Sequence, residues 1–233
     1  TLYTSVLSIV DSFSDSAMLE EYSLLDALSF AAILSTVALF LCGVEICQRI
    51  RLKGSTDGVD AAPFLLTFIS CCFWTQYGVL KQDNTIICIN FIGVVIEMAY
   101  LIYYHRMTWN RRRLNKILLF ELILFLAMYG YTTSERYELK DRIDHLGFVC
   151  MLMNIASLGS PLLALGGVIR TKSTESLPFP LCLGNLVVSS QWLMYGVLID
   201  DVYMKVPNGI GVAMSMIQLS FFVIYPTKKR ASE

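Results

Sequence analysis

Two asparagines and two tryptophans, which are side chains suited to recognising neutral, hydroxyl-rich solutes, recur at one fixed spacing. Asn90 and Asn208 lie 118 positions apart, and so do Trp74 and Trp192. An amide side chain offers two N–H donors and one carbonyl acceptor to hydroxyl groups. A tryptophan ring offers an apolar face for C–H groups and an indole N–H for a hydroxyl. The four side chains could together bind a neutral polyhydroxylated molecule.

These residues belong to a longer internal repeat. Aligned without a gap, residues 74–98 and 192–216 are identical at eleven of twenty-five positions. Composition alone would give roughly two or three identities. Both copies are apolar, and polar side chains in such segments are costly unless they face a cavity or a partner. The repeat therefore predicts a cavity between two related halves of the chain.

Each pair also has a structural interpretation. Asparagines within membrane helices often join neighbouring helices by hydrogen bonds. Trp74 and Trp192 lie near the outer ends of their segments, where tryptophans form interfacial belts. The matched recurrence favours a pocket, in which we expect the indole N–H groups to be free for the solute.

The composition is that of a membrane protein. The 233 residues are 55% hydrophobic and 16% charged, with a mean hydropathy of +0.59. The net charge of -1 makes nucleic acid an unsuitable partner. No zinc-ligand spacing, phosphate-binding loop, dinucleotide fingerprint or nucleophile elbow is present. We therefore expect no catalytic residue, no metal site and no cofactor, and hence no enzyme.

Seven apolar stretches are long enough, or nearly so, to cross the roughly 30 Å of a bilayer core. They are approximately residues 24–47, 63–80, 85–104, 114–131, 148–169, 178–199 and 204–225. Arginine and lysine are concentrated after the first, third, fifth and seventh stretches, which predicts an outer N-terminus and a cytoplasmic C-terminus. The fourth stretch lies outside the repeat, so the expected fold is all-α with a parallel three-plus-one-plus-three arrangement.

This arrangement defines five regions of the chain. We expect an extracellular or luminal tail, a first triple-helix bundle, a linker helix with its flanking loops, a second bundle and a cytoplasmic tail. Their residues are 1–23, 24–104, 105–145, 146–225 and 226–233.

Three other polar side chains lie in the apolar stretches. Glu97 follows Asn90 by seven residues and lies on about the same helix face, where it could relay a proton or serve as a neutral structural group. Asn154 and Glu45 are expected to be structural. Pro161 lies inside the fifth stretch and should kink its helix.

The motifs resemble those of the SWEET family of sugar transporters. The second half carries Ser-Pro-Leu at 160–162, Val-Ile-Arg-Thr-Lys-Ser-Thr-Glu-Ser-Leu-Pro-Phe at 168–179, Tyr-Gly at 195–196 and Pro-Asn at 207–208. The first half repeats Pro-Phe at 63–64, Tyr-Gly at 77–78 and Asp-Asn-Thr at 83–85. The resemblance covers about residues 30–226. It implies two triple-helix bundles that pass mono- or disaccharides downhill by alternating access.

The resemblance also implies roles for individual residues. Asn90 and Asn208 would hydrogen-bond the sugar, while Trp74 and Trp192 would line its pocket. Tyr77 matches a position that helps to close the outer gate, although a packed aromatic residue is an equal alternative.

Asp201 matches a second position of that gate. The family's four hinge prolines correspond to Pro63, Pro161, Pro178 and, at the fourth position, Gly43. Glycine can still bend a helix, and a proline at the start of a helix can also be an ordinary first-turn residue.

These features predict a facilitative uniporter for neutral sugars. The bulky tryptophans favour hexoses such as glucose. A proton-coupled transporter that uses Glu97 and a seven-span receptor remain as alternatives. The resemblance implies a homo-oligomer, with a trimer as the candidate, in the lipid bilayer. The plasma membrane is favoured over an internal membrane such as the Golgi or an endosome.

Overall fold

A computed structural model describes residues 23–175 and 177–225. The expected tails at 1–23 and 226–233 lie outside these ranges, apart from residue 23. All regular structure in the described part is helical. Its nine helices are α1 (23–40), α2 (Gly43–Lys53), α3 (Ala62–Lys81), α4 (Asn84–Met107), α5 (Arg111–Thr133), α6 (Leu139–Ser157), α7 (Gly159–Thr171), α8 (Phe179–Leu198) and α9 (Val202–Ile224).

The helices form the predicted seven crossings. Six helical segments of the described residues are long and apolar enough to span a membrane, with α1 and α2 counted as one. Helices α6 and α7 together make the remaining crossing. Helix α6 begins nine residues before the apolar stretch predicted at 148, because its polar first turns have partners. Arg142 Nη1 donates to the Thr132 carbonyl at 2.9 Å, and Asp144 Oδ1 accepts from the Tyr203 hydroxyl at 3.1 Å.

Close helix pairs explain the repeated glycines. Helix α3 packs along α4, and α8 packs along α9. A Cβ atom at Gly93 would lie 2.6 Å from Cys71 Sγ, and one at Gly211 would lie 2.7 Å from Ser189 Oγ. Both distances are too short for real atoms, so only glycine permits this approach in either half.

The first crossing is broken between α1 and α2 at residues 41–42. The carbonyl oxygen of Phe40 accepts a hydrogen bond from the Tyr100 hydroxyl at 3.1 Å, where a continuous helix would use its own amide. A Cβ atom at Gly43 would lie 2.5 Å from Tyr100 Cε2. Glycine at this position therefore lets the ring reach the broken turn.

The corresponding crossing of the second half is broken at Leu158, between α6 and α7. Proline has no N–H to donate, so Pro161 cannot bond to the carbonyl of Ser157. Pro63 lies in the first turn of α3, and Pro178 directly precedes α8. Both prolines therefore lie where ordinary helix starts accept them, and their role as hinges stays a prediction.

The buried apolar residues form three clusters that differ in the halves they join. One cluster lies in the outer half and includes residues of both bundles and of α5, among them Phe73, Tyr77, Leu146 and Tyr195. The second contains only residues of the first bundle and α5, such as Ile50 and Tyr104. The third contains only residues of the second bundle, such as Val168. The described bundles thus share a core at their outer ends and have separate cores at their inner ends.

Candidate functional site

A cavity of about 260 Å³ lies between the two halves near the middle of the crossings. All four residues singled out from the sequence line it. The described side chains around it also include Thr36, Ser70, Cys71, Ile89, Asn154, Ser157, Val188 and Met204. The predicted cavity is therefore present, with aromatic, apolar and amide groups on its walls.

The two asparagines have equivalent settings. Asn90 Nδ2 donates to the Ile86 carbonyl at 2.8 Å, and Asn208 Nδ2 donates to the Met204 carbonyl at 2.9 Å. Each bond uses one of the two amide hydrogens and fixes the side chain against its own helix. The amide oxygens accept no hydrogen bond from the part of the chain that the structure describes. Each asparagine thus retains one donor and one acceptor for a ligand.

The tryptophans differ from the expectation that their indole N–H groups are free. Trp74 Nε1 donates to Asn154 Oδ1 at 3.3 Å, and Trp192 Nε1 donates to Thr36 Oγ1 at 2.9 Å. Both tryptophans are buried, and a buried N–H without a partner is costly, so each finds an acceptor in the opposite bundle. The expectation of a free N–H was wrong, and the rings can offer only their apolar surface to a ligand.

Thr36 and Asn154 are site residues that our sequence analysis missed. Asn154 was expected to be structural, yet it lines the cavity and orients Trp74. The two residues are 118 positions apart and so occupy equivalent places in the halves. Extending the repeat to the first and fifth crossings would have identified both, but their side chains differ and give no identity to detect.

The outer ends of the halves are joined by two reciprocal hydrogen bonds. The Tyr77 hydroxyl donates to Asp201 Oδ2 at 2.6 Å, and the Tyr195 hydroxyl donates to Asp83 Oδ2 at 2.8 Å. Tyr77 and Tyr195 occupy equivalent positions of the repeat, as do Asp83 and Asp201. We call these four residues the outer closure. Our sequence analysis identified one of its two pairs.

Local structure fixes both aspartates of the outer closure. Each is the N-cap residue of the following helix, a position where a carboxylate satisfies free backbone N–H groups. Asp83 Oδ1 accepts from the Ile86 amide at 3.0 Å. Asp201 Oδ1 accepts from the Tyr203 and Met204 amides at 2.9 and 3.3 Å. The second oxygen of each carboxylate is left to receive the tyrosine of the other bundle.

One lysine makes the outer closure unequal between the halves. Lys81 Nζ lies 3.3 Å from Asp201 Oδ2, whose side chain is fully buried. The equivalent position in the second half is Ile199. Lys205 donates instead to the exposed Asp200 at 2.5 Å and holds the pKa of that carboxyl below its usual value. The carboxylate of Asp201 therefore contacts a tyrosine hydroxyl and a lysine ammonium group, whereas that of Asp83 contacts a tyrosine hydroxyl.

A further space lies next to the cavity on its inner side. A second, more polar cavity of about 290 Å³ adjoins it and shares Asn154, Ser157 and Asn208 as lining residues. Its other walls include Ser215 and Gln218, which lie toward the inner end of α9. All the lining residues of this second cavity belong to α6, α8, α9 or the turn after α6, so it lies within the second bundle on the inner side of the asparagines.

The remaining polar candidates lie apart from the cavity. Glu97 is 5% exposed within α4, and its Oε2 has no hydrogen-bond partner among the described residues, but it does not line the cavity. Glu45 lies at the surface and pairs with Arg49 at 3.5 Å. The described residues bring together no group of three or more His, Cys, Asp and Glu side chains that could hold a metal ion.

Comparison with known proteins identifies the family. The sequence profile described as "Sugar efflux transporter for intercellular exchange" matches residues 26–112 and 144–230, so it matches the chain twice, once in each half. The chain belongs to the SWEET family of sugar transporters.

Relatives and a solved structure agree with this assignment. The chain is 37% identical to the sugar transporter SWEET1 of Caenorhabditis elegans over 205 residues, which cover 88% of this chain and 67% of that protein. It is 36% identical to SWEET1 of Drosophila pseudoobscura pseudoobscura, over 89% of this chain and 92% of the relative. Its fold matches the structure of a eukaryotic SWEET transporter with a TM-score of 0.81 at 28% identity, over 89% and 98% of the two chains.

Membership of the SWEET family confirms several expectations from the sequence. The chain is a multi-pass integral membrane protein whose fold is the three-plus-one-plus-three arrangement of SWEET transporters. It is a sugar transporter and not an enzyme. The seven-span receptor considered above is thereby excluded.

Proposed function

We propose that this chain is a facilitative uniporter of neutral hexoses such as glucose, which bind between Asn90 and Asn208 and cross by alternating access. The equivalent placement of these two asparagines, one on each half of a central cavity, is the observation that carries the proposal.

The chemistry of the cavity supports a neutral sugar as its ligand. Hydroxyl groups both donate and accept, and each asparagine retains one amide hydrogen and one amide oxygen for such a partner. The cavity lining contains no Asp, Glu, Lys or Arg among the described residues, so nothing there would pair with a charged solute. The faces of Trp74 and Trp192 supply apolar surface for the C–H groups of a sugar ring.

The size of the central cavity supports a single sugar ring. An engineered cavity of about 150 Å³ holds the six-membered ring of benzene, and the cavity here measures about 260 Å³. The two tryptophans stand on opposite halves and take up space on both walls of this cavity. We therefore expect glucose to be transported faster than sucrose in reconstituted vesicles, and equal rates would contradict the hexose preference.

The contrast between the two ends of the molecule supports alternating access. The outer closure joins the bundles, whereas their inner cores are separate. Transport would exchange this arrangement for one that is closed at the inner end and open at the outer end.

The proposal can be tested by initial rates of radiolabelled glucose uptake into proteoliposomes. We expect Asn90→Ala and Asn208→Ala each to reduce uptake at least about tenfold, since each removes a hydrogen-bonding amide worth about 1–2 kcal/mol or more. Asn84→Ala is the matched control, because Asn84 is exposed at the outer start of α4 and does not line the cavity. Normal uptake by both cavity variants would overturn the assigned site.

A second candidate function is transport coupled to protons. It is favoured by one observation, the buried Oε2 of Glu97 that has no partner among the described residues. An imposed pH gradient would then drive glucose above its equilibrium level, and Glu97→Gln would abolish the accumulation without abolishing exchange. The uniporter instead predicts that glucose reaches the same concentration on both sides at any pH gradient.

The proposal also includes the setting of the protein. By resemblance to the family we propose a homotrimer in the plasma membrane. Single-molecule mass measurement of the solubilised protein tests the assembly, and surface labelling of intact cells tests the location.

A further inference from the structure

The turn between α4 and α5 concentrates positive charge. Its basic residues are Arg106, Arg111, Arg112, Arg113 and Lys116, and the stretch 98–120 contains no aspartate or glutamate. All five cations are exposed. Trp109 stands among them with 89% of its surface exposed. An exposed tryptophan beside a cationic cluster is typical of a segment that contacts the membrane interface.

A groove beside this turn is apolar along its length and cationic at one end. It has a volume of about 210 Å³ and is bounded by α3, α4 and α5. Its apolar walls are Phe68, Met98, Leu101, Ile102 and Leu118, and at the turn it ends at His105 and Arg106. The Arg111 Nη2 group lies 3.4 Å from the Arg106 carbonyl oxygen, to which it donates. A second guanidinium group is thereby held near the mouth of the groove.

The form of the groove matches a phospholipid. From Met98 to Arg106 the helix rises about 12 Å at 1.5 Å per residue, so the apolar walls lie at the depth of the acyl chains and the cations lie at the level of the headgroups. A soluble anion would gain nothing from the apolar walls. Another copy of the chain docking through the same turn would bring its own cations against these, whereas a copy docking through a different face, as in a trimer, would link this groove to the oligomeric state.

We propose that this groove binds an anionic phospholipid of the cytoplasmic leaflet. One acyl chain lies against the apolar walls, and the headgroup phosphate lies between Arg106 and Arg111. The distribution of basic residues puts this turn on the cytoplasmic side, where anionic lipids are concentrated. The site joins the first bundle to the linker helix α5 and is separate from the sugar cavity.

Native mass spectrometry of the solubilised full-length chain can measure this binding with dioleoyl phosphatidylserine and dioleoyl phosphatidylcholine. We expect the serine lipid to bind at least about tenfold more tightly. The triple variant Arg111→Gln, Arg112→Gln, Arg113→Gln should lose this preference. The matched control Arg49→Gln, Arg51→Gln, Lys53→Gln removes the same charge from the exposed end of α2 and should change the affinity less than twofold.

A second variant separates a lipid from other occupants of the groove. Met98→Trp fills the groove without changing its charge and should weaken binding of the serine lipid, while glycerophosphoserine, which has no acyl chains, should not compete. Equal loss in the control triple variant would overturn the proposal in favour of a general charge effect. Competition by glycerophosphoserine would overturn it in favour of a soluble anion. Unchanged lipid binding by Met98→Trp with an altered oligomeric state would assign the groove to a second copy.

Discussion

Each aspartate of the outer closure uses its two carboxylate oxygens for different purposes. One oxygen caps the helix of its own bundle, and the other accepts a tyrosine hydroxyl from the opposite bundle. The acceptor therefore stays in position when the bundles separate, because the cap does not depend on the tyrosine. A hydrogen bond to a charged group contributes about 1.5–3 kcal/mol, which is of the size needed for a reversible closure.

The double variant Tyr77→Phe, Tyr195→Phe should open the outer end. Both tyrosine hydrogen bonds of the outer closure are lost, while both rings and the Lys81–Asp201 ion pair are kept, so the open population should rise at least about tenfold. Spin labels at Asn84 and Val202, which are exposed at the starts of α4 and α9, would report longer distances by double electron–electron resonance. The labels require a background in which the seven cysteines have been replaced.

Tyr203→Phe is the matched control for this experiment. The Tyr203 hydroxyl donates to Asp144, and both residues belong to the second bundle. Its loss removes a tyrosine–carboxylate bond at the same end of the molecule without freeing one bundle from the other. An equal lengthening in the control, or none in the double variant, would show that the outer closure does not hold the bundles together.

Thr36→Val should disturb the sugar cavity without changing its volume. Thr36 donates to the Ala32 carbonyl at 2.7 Å and accepts the Trp192 N–H at 2.9 Å. Valine leaves that buried N–H without its acceptor, so we expect a loss of about 1–3 kcal/mol in stability and a raised KM for glucose. Thermal unfolding and the concentration dependence of uptake measure the two effects.

Thr133→Val provides the comparison. Thr133 also donates to a carbonyl of its own helix, that of Tyr129 at 2.8 Å, but it is exposed and accepts no tryptophan N–H. If both variants change stability and KM equally, the hydrogen bond from Trp192 to Thr36 does not contribute specifically to stability or to sugar affinity.

At the scale of the helices, the broken first and fifth crossings are the elements that differ most from regular spans. The breaks, at 41–42 and at 158, lie within two residues of equivalent positions in the repeat. One has Pro161 beside it and the other has Gly43, so different residues accompany the same interruption. In the first bundle the Tyr100 hydroxyl satisfies the carbonyl that the break exposes.

Gly43→Ala should destabilise the first break. The added methyl group would lie 2.5 Å from the Tyr100 ring, which must move away from the Phe40 carbonyl that it serves. We expect a loss of about 1–3 kcal/mol, seen as a lower unfolding temperature together with slower glucose uptake. Gly166→Ala in α7 meets no atom of the described residues within 4 Å and should leave both values unchanged or improved. If both variants change the unfolding temperature and glucose uptake equally, the stability of the first break does not depend on having glycine at position 43.

Much of the helical architecture follows from the sequence. Hydropathy and the repeat predict the crossings, their order and the central asparagines and tryptophans. The start of α6 was predicted nine residues late, because hydropathy does not register polar residues such as Arg142 and Asp144 whose partners come from other helices. Position 43 was singled out as a hinge only by resemblance to the family, because the break beside it depends on a ring contributed by α4.

The contacts across the halves were the least predictable part of the site. A repeat identifies equivalent residues within each half, whereas the bonds of Trp74, Trp192, Tyr77 and Tyr195 run from one half to the other. Only the packing of the bundles decides which acceptor each of these four side chains contacts. The tryptophans were therefore assigned to the correct cavity but with the wrong use of their N–H groups.

At the scale of the whole molecule, the three apolar clusters show at which end the two bundles are packed together. The outer cluster joins both bundles, and each inner cluster belongs to one bundle with or without α5. Rocking the bundles about the central cavity would leave the inner clusters intact while the outer cluster separates. Because the halves are related by a repeat, the opposite state can use equivalent surfaces, and the sugar site stays at the point of least movement.

The most direct test of this account is to measure both ends of the molecule with and without glucose. One spin-label pair at Asn84 and Val202 reports the outer end, and a second at Leu52 and Ile169, exposed on α2 and α7, reports the inner end. The account predicts two distance populations at each end that shift in opposite directions, so that a short outer distance accompanies a long inner one. Distances that change together, or an outer end that never opens in a protein that transports glucose, would contradict alternating access around a central site.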